Sequence, residues 1–173
     1  MIYLQCTRNV RKQLGLDGQE LRAAPEGVSA LGNWTLNRIP LGDRSAFLFM
    51  SDRSLLSFPI LEGRQGVEMA GIPGLLAHGI TQLMQMVGVR PDAYAKLLRD
   101  TEEIAVTKSG NRSLLANHNA IAADYIHRVD YAGGIPHCNL GEIIRDVNQT
   151  PRSKLKWATS FEVTLDLLHQ HAA

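Results

Sequence analysis

The sequence predicts an α+β fold, an antiparallel sheet with several helices packed on it. Three observations carry this. Residues 34–60 hold three strand-like stretches, WTLNRI, SAFLFM and LLSFPI, joined by the short turns PLGD and SDRS. Strands linked by such turns read as an antiparallel meander. From residue 72 onward, apolar residues recur mainly at helical spacing. Neither a repeat nor a linker interrupts the chain, so residues 1–173 are expected to form a single domain.

Taken in order, IYLQC (2–6) is rich in strand formers and reads as a first strand. Thr7 can cap a short helix to Leu14, and Gly15 can end it. Residues 17–32, with three glycines and a proline, read as an irregular surface loop. In the meander, SAFLFM is apolar on both faces, as a central strand would be. Pro59 assigns the end of LLSFPI to an edge or a bulge. Leu75, Leu76, Ile80, Leu83, Met84 and Val87 form one stripe of a helix over 72–87. Pro91 opens a shorter helix to about Glu102. EEIAVTK (102–108) reads as another strand and 113–131 as a long helix. Asn139 can cap a helix through Val147. KWATSFEV (156–163) reads as a last strand-like piece before a terminal helix over 164–171.

The 173 residues suffice for a full core. Apolar residues make up 45% and charged residues 20%, an ordinary globular mix. Eighteen Lys plus Arg stand against 17 Asp plus Glu, a net charge of +1. That balance gives no electrostatic case for nucleic acid or an anionic membrane. The two cysteines, Cys6 and Cys138, form no disulfide framework and no CxxC pair. The apolar start MIYLQC is too short for a signal-peptide core. No apolar run reaches the roughly 20 residues of a membrane span. A cytoplasmic protein without cofactor is expected.

Most candidate chemistries fail on spacing. EGRQGVEMAGIPG (62–74) lacks both a Walker ending and GxGxxG spacing, and reads as a crossover. The six histidines offer no HxxxH or HExxH, so no metal centre is expected. On a helical wheel, Leu114, Leu115, His118, Ile121, Ala122, Tyr125, Ile126 and Val129 share one apolar face, which places His118 in the core. Ser113, Asp124 and His127 share another stripe. Ser113 and His127, however, stand roughly 21 Å apart along a helix, which removes a catalytic triad. Asp124 and His127 could pair as an exposed helix pair.

What survives is TKSGNRSLLANHN (107–119), a turn running into a helix start. Free N–H groups and the helix dipole there favour an anion, and Lys108 and Arg112 add charge. The structural alternative is a well-made cap by Asn111 or Ser113 after a sharp turn at Gly110.

Six stretches occur in order along the chain: MIYLQCT, LGNW (31–34), FLFMSDRSLLSF (47–58), TKSGNRSLLANHN, YAGG (131–134) and TPRSKLKWATSFEV (150–163). Together they resemble an uncharacterised bacterial family catalogued as a domain of unknown function. The resemblance spans nearly the whole chain and implies a bacterial or phage origin, but no activity. The family pattern has glycine in place of Ala116 and an acidic residue in place of Ala120. Asn111, Arg112, Ser113, Asn117 and Asn119 are retained as candidate ligand-binding residues.

Two functions compete. One is a non-catalytic binding or regulatory module for a protein or a small anionic ligand, with self-association left open. The other is a small hydrolase or transferase at Asn111, Arg112 and Ser113, with His78, His137 or Glu103 as base. Nucleic-acid binding through Arg8, Arg11, Lys12 and Arg22 is the weaker third, because those charges equally well solvate a short helix.

Overall fold

The computed structural model describes residues 1–17, 20–109 and 112–172. The meander forms as expected: β2 (Trp34–Leu41), β3 (Arg44–Ser51) and β4 (Ser57–Leu61) pair antiparallel in sequence. Gly42 turns β2 into β3 with φ +60, a left-handed value that a side chain would resist. β4 is an edge strand and holds Pro59, where a missing N–H does least harm.

The sheet itself is mixed rather than antiparallel. β1 (Ile2–Cys6) lies between β2 and β5 (Ile104–Lys108) and runs parallel to both, in the order β4-β3-β2-β1-β5. Parallel neighbours need a crossover rather than a hairpin. The 7–33 connection supplies one, and the helical 62–103 segment supplies the other. The stretch read as a surface loop is therefore a crossover, tied to β5 by a bridge from Ala23 to Lys108. Burial fits this position: Ile2, Leu4, Gln5 and Cys6 are all buried, as in a strand covered on both faces.

Helices pack on both faces. On one face α1 (Arg8–Gln13), α2 (Ile72–Met86), α3 (Pro91–Asp100) and α6 (Ser160–Ala172) enclose Ile2, Leu4, Trp34, Leu36, Phe47, Phe49 and Phe58. The expected stripe of α2 supplies Leu76, Ile80, Leu83 and Met84 to this layer. Gly79 of α2 sits directly on Phe58, where a Cβ would lie 2.0 Å from a ring carbon. On the other face α4 (Arg112–Tyr131) and α5 (Leu140–Gln149) cover Ile39, Leu41, Ala46, Leu48 and Met50. Each fully buried side chain of this kind is worth about 1.5–3 kcal/mol.

α4 buries Leu114, His118, Ile121, Ala122, Tyr125 and Val129, the face read from the wheel. His118 is fully buried, with Nε2 3.4 Å from the Leu48 carbonyl oxygen. Burial pushes its pKa down to about 4, only partly offset by that carbonyl, so the ring is neutral at neutral pH. Asn139 caps α5 by accepting from the Glu142 N–H at 3.2 Å. From α5, Asn148 reaches the open edge of β4: its Oδ1 accepts from Ser57 N–H at 2.9 Å, and its Nδ2 donates to Ser57 O at 2.8 Å. The carboxamide thus does the work of a further strand at that edge.

Residues 156–163 are not a strand. A single turn at Ser153–Leu155 is followed by Lys156 and Trp157 in the left-handed region, and α6 then begins at Ser160. Thr159 and Glu162 form a reciprocal cap: Thr159 N–H donates to Glu162 Oε2 at 2.8 Å, and Glu162 N–H donates to Thr159 Oγ1 at 3.2 Å. The local T-x-x-E pattern outweighs the strand propensity of its neighbours.

Candidate ligand-binding cleft

The mixed sheet creates a site at the carboxyl ends of its parallel strands. β1 leads into α1, whose Val10 lies in the first core layer, whereas β5 leads into α4, which forms the second. Adjacent parallel strands that send their chains to opposite faces leave a crevice between them. A cleft of about 650 Å³ lies here, lined by Gln5 of β1, Lys108 of β5 and Leu114 of α4. Residues 23–27, Asn33, Asp52, Arg53 and Lys154 complete it.

The wall opposite β5 is built from two loops locked together. Asn33 N–H donates to Asp52 Oδ1 at 3.0 Å, and Asn33 Nδ2 donates to the Pro25 carbonyl at 2.7 Å. Arg53 holds the carbonyls of Gly27 and Ser29 at 3.0 and 3.4 Å. Ser51 Oγ donates to the Leu31 carbonyl at 2.7 Å. Gly32 permits this closeness. Its φ is +71, and a Cβ there would lie 2.0 Å from Asp52 Oδ1. Burial pushes the Asp52 carboxyl upward, against the Asn33 N–H, Arg53 and Lys154, which pull it down.

Gln5 is the unusual group. It faces Thr35 of β2 and Thr107 of β5 in register, on the α4 side of the sheet. It is 6% exposed, and among the described residues its carboxamide has no hydrogen-bond partner. Beside it, Thr35 Oγ1 is buried and likewise unpartnered. Gln5 lines the cleft, so its amide is reachable from there. Lys108 and Lys154 are exposed and make no ion pair among the described residues.

The sequence candidates lie beside this cleft rather than in it. Asn111 falls outside the described residues. Arg112 and Ser113 are exposed at the start of α4, one turn or less from cleft-lining Leu114. Asn117 donates from Nδ2 to the Ser113 carbonyl at 2.7 Å, within its own helix, and Asn119 is exposed. His78, His137 and Glu103 do not line the cleft. Gln5, Asn33, Asp52, Arg53 and Lys154 were not singled out by residue chemistry. A signal was nevertheless present: five of the six stretches that carry the family resemblance each contribute a lining residue.

A second cleft of about 570 Å³ between α4 and α5 is lined by His127, His137, Cys138 and Asp124, among others. Asp124 does not pair with His127. Although burial opposes it, hydrogen bonds from Arg128 at 2.8 Å and Arg152 at 2.9 Å hold its carboxyl below the usual range. Among the described residues, no group of three or more His, Cys, Asp or Glu could hold a metal ion. No helix among them is long and apolar enough to cross a membrane.

Comparisons with known proteins agree with this architecture. The chain is similar in fold to the catalytic core domain of BIV integrase, with a TM-score of 0.50 at 13% sequence identity. The match covers 81% of this chain and 97% of that one, and shows the fold alone. No curated protein matches the chain. A family model matches residues 3–163 and so takes in every lining residue of the first cleft. On that match, the chain belongs to the family described as Domain of unknown function (DUF6933).

Proposed function

We propose that the protein is a non-catalytic binding module whose first cleft takes a small anionic ligand. The observation that carries this reading is Gln5. The residue is 6% exposed and lines the cleft, and among the described residues its carboxamide has no hydrogen-bond partner and the cleft cations Lys108 and Lys154 have no ion pair. A volume of about 650 Å³ suits a small molecule. The first turn of α4 adds Arg112 as a further exposed cation next to Leu114. Catalysis would need a base and a nucleophile in contact. Among the described residues that line the cleft there is no histidine, cysteine, serine or threonine, and Asp52 and Glu26 stand beside no such nucleophile, which supports binding as the role.

The test is a titration of isotopically labelled protein with inorganic phosphate, acetate and citrate, followed through the side-chain amide resonances. Binding should shift the Gln5 carboxamide and the backbone signals of Lys108 and Asp52. Gln5→Leu and Lys154→Ala should each weaken it about tenfold, the loss of one charge-assisted hydrogen bond. Shifts that gather around His127 and His137 instead, or no shift with any anion, would remove this reading.

A further inference from the structure

We infer that the ligand of this cleft is a small zwitterion of the amino-acid or short-peptide class, whose cationic nitrogen meets Asp52 and whose carboxylate meets Lys108 and Lys154. The inference rests on the assignment of the first cleft as the binding site and adds the ligand's second charge.

Unmet hydrogen-bonding capacity in the cleft is of both kinds. Lys108 and Lys154 provide donors with positive charge and suit a carboxylate. An anion alone, however, would leave the acceptors idle. Asp52 lines the cleft with a half-buried carboxylate whose Oδ1 takes the Asn33 N–H, while among the described residues Oδ2 accepts no hydrogen bond. Its nearby cations do not neutralise it directly. Arg53 spends its guanidinium on the Gly27 and Ser29 carbonyls and lies 3.9 Å from Glu26, and Lys154 makes no ion pair within 4.0 Å. Gln5 adds an unmet carbonyl oxygen beside its unmet NH₂, so its amide can accept from an ammonium or donate to a carboxylate. The two free cations attract an anionic group, and the half-buried carboxylate between these walls attracts an N–H cation, which a simple anion cannot supply. A ligand carrying both charges satisfies the two sets together, and its own dipole then lies along the one built into the walls. No covalent step is involved.

The test compares three probes on the intact protein: tri-alanine, N-acetyl-tri-alanine, which lacks the ammonium, and tri-alanine amide, which lacks the carboxylate. Free L-alanine and inorganic phosphate are added as size and charge controls. Binding of the zwitterions should perturb Gln5 and Asp52 and exceed that of either capped peptide by about tenfold or more. Asp52→Asn keeps the oxygen that accepts from Asn33 while removing the charge. In this variant the preference for tri-alanine over N-acetyl-tri-alanine should fall to about one. Should Asp52→Asn not fold, the probe comparison on the unaltered protein decides alone. If phosphate or N-acetyl-tri-alanine binds this cleft as well as the zwitterions, the zwitterion inference is overturned and the anion site stands. If no probe perturbs Gln5 or Asp52, both are overturned.

Discussion

Asp52 and Asn33 hold each other twice. The Asn33 N–H donates to the Asp52 side chain at 3.0 Å, and the Asp52 N–H donates to the Asn33 carbonyl at 2.9 Å. The residue before Asn33 has to be glycine for this to close. Gly32→Ala should therefore destabilise the protein by about 1–3 kcal/mol through its left-handed backbone, and by more through the clash with Asp52 Oδ1. Urea unfolding measures this, and an unchanged midpoint would show that the two loops are not locked.

His118 predicts a pH dependence. Its folded pKa is about 4, below the ordinary 6.5, so the unfolded chain binds its proton first. Its neutral burial is fully compatible with folding above pH 6.5, and stability is lost as pH falls from there towards 4. The loss approaches about 3 kcal/mol at 1.36 kcal/mol per pH unit. Paired carboxylates such as Asp124 contribute to the same slope, so the measurement is a difference. Unfolding free energies of the protein and of His118→Phe, taken at pH 7, 6, 5 and 4.5, should converge as the pH drops. Parallel curves would mean that His118 is not buried neutral.

Asn148 makes a sharper stability prediction. Asn148→Ala leaves the Ser57 N–H unmet at a buried edge and removes one of the two donors to its carbonyl, and should cost about 2 kcal/mol. Tyr125→Phe removes only the hydroxyl that donates to the Ser57 carbonyl at 3.0 Å, and should cost about 1 kcal/mol. Equal losses in thermal or denaturant unfolding would contradict this ranking.

The two thiols should differ in reactivity. Both cysteines are free, Cys6 is fully buried in β1, and Cys138 is half-buried. Burial pushes the Cys6 thiol up to about 12, despite the opposing charge of Arg11. A thiol-specific reagent at pH 8 should label Cys138 in the folded protein and Cys6 only on unfolding. Labelling of Cys6 at the rate of Cys138 would place β1 outside the core.

Much of this was legible in the sequence because the signals are local. The meander, the stripes of α2 and α4, His118 in the core, Pro59 at an edge and the Asn139 cap all follow from neighbouring residues. Strand direction did not follow. IYLQC carries propensity and burial, but nothing within it says whether its partners run parallel. The start of α6 was hidden because aromatic and β-branched neighbours mask a T-x-x-E cap. The cleft was illegible for a related reason. Gln5, Asn33, Asp52, Lys108 and Lys154 are each ordinary where they stand, and only the crossovers bring them together. Arg112 and Ser113 stand out in the sequence because a helix start can be read from a few adjacent residues.

The position of β1 also sets an order of events. This strand precedes the other four in the chain, yet it becomes an inner strand of the sheet. Its contact with β5 spans 103 positions between Leu4 and Thr107. Such long-range parallel pairing closes slowly, whereas the meander can form from neighbours. During synthesis β1 can pair with β2 early, but its other edge stays open until β5 arrives in the second half of the chain. The cleft, whose floor is Gln5, is completed only then, so binding competence should arrive at the last stage of folding and report on it.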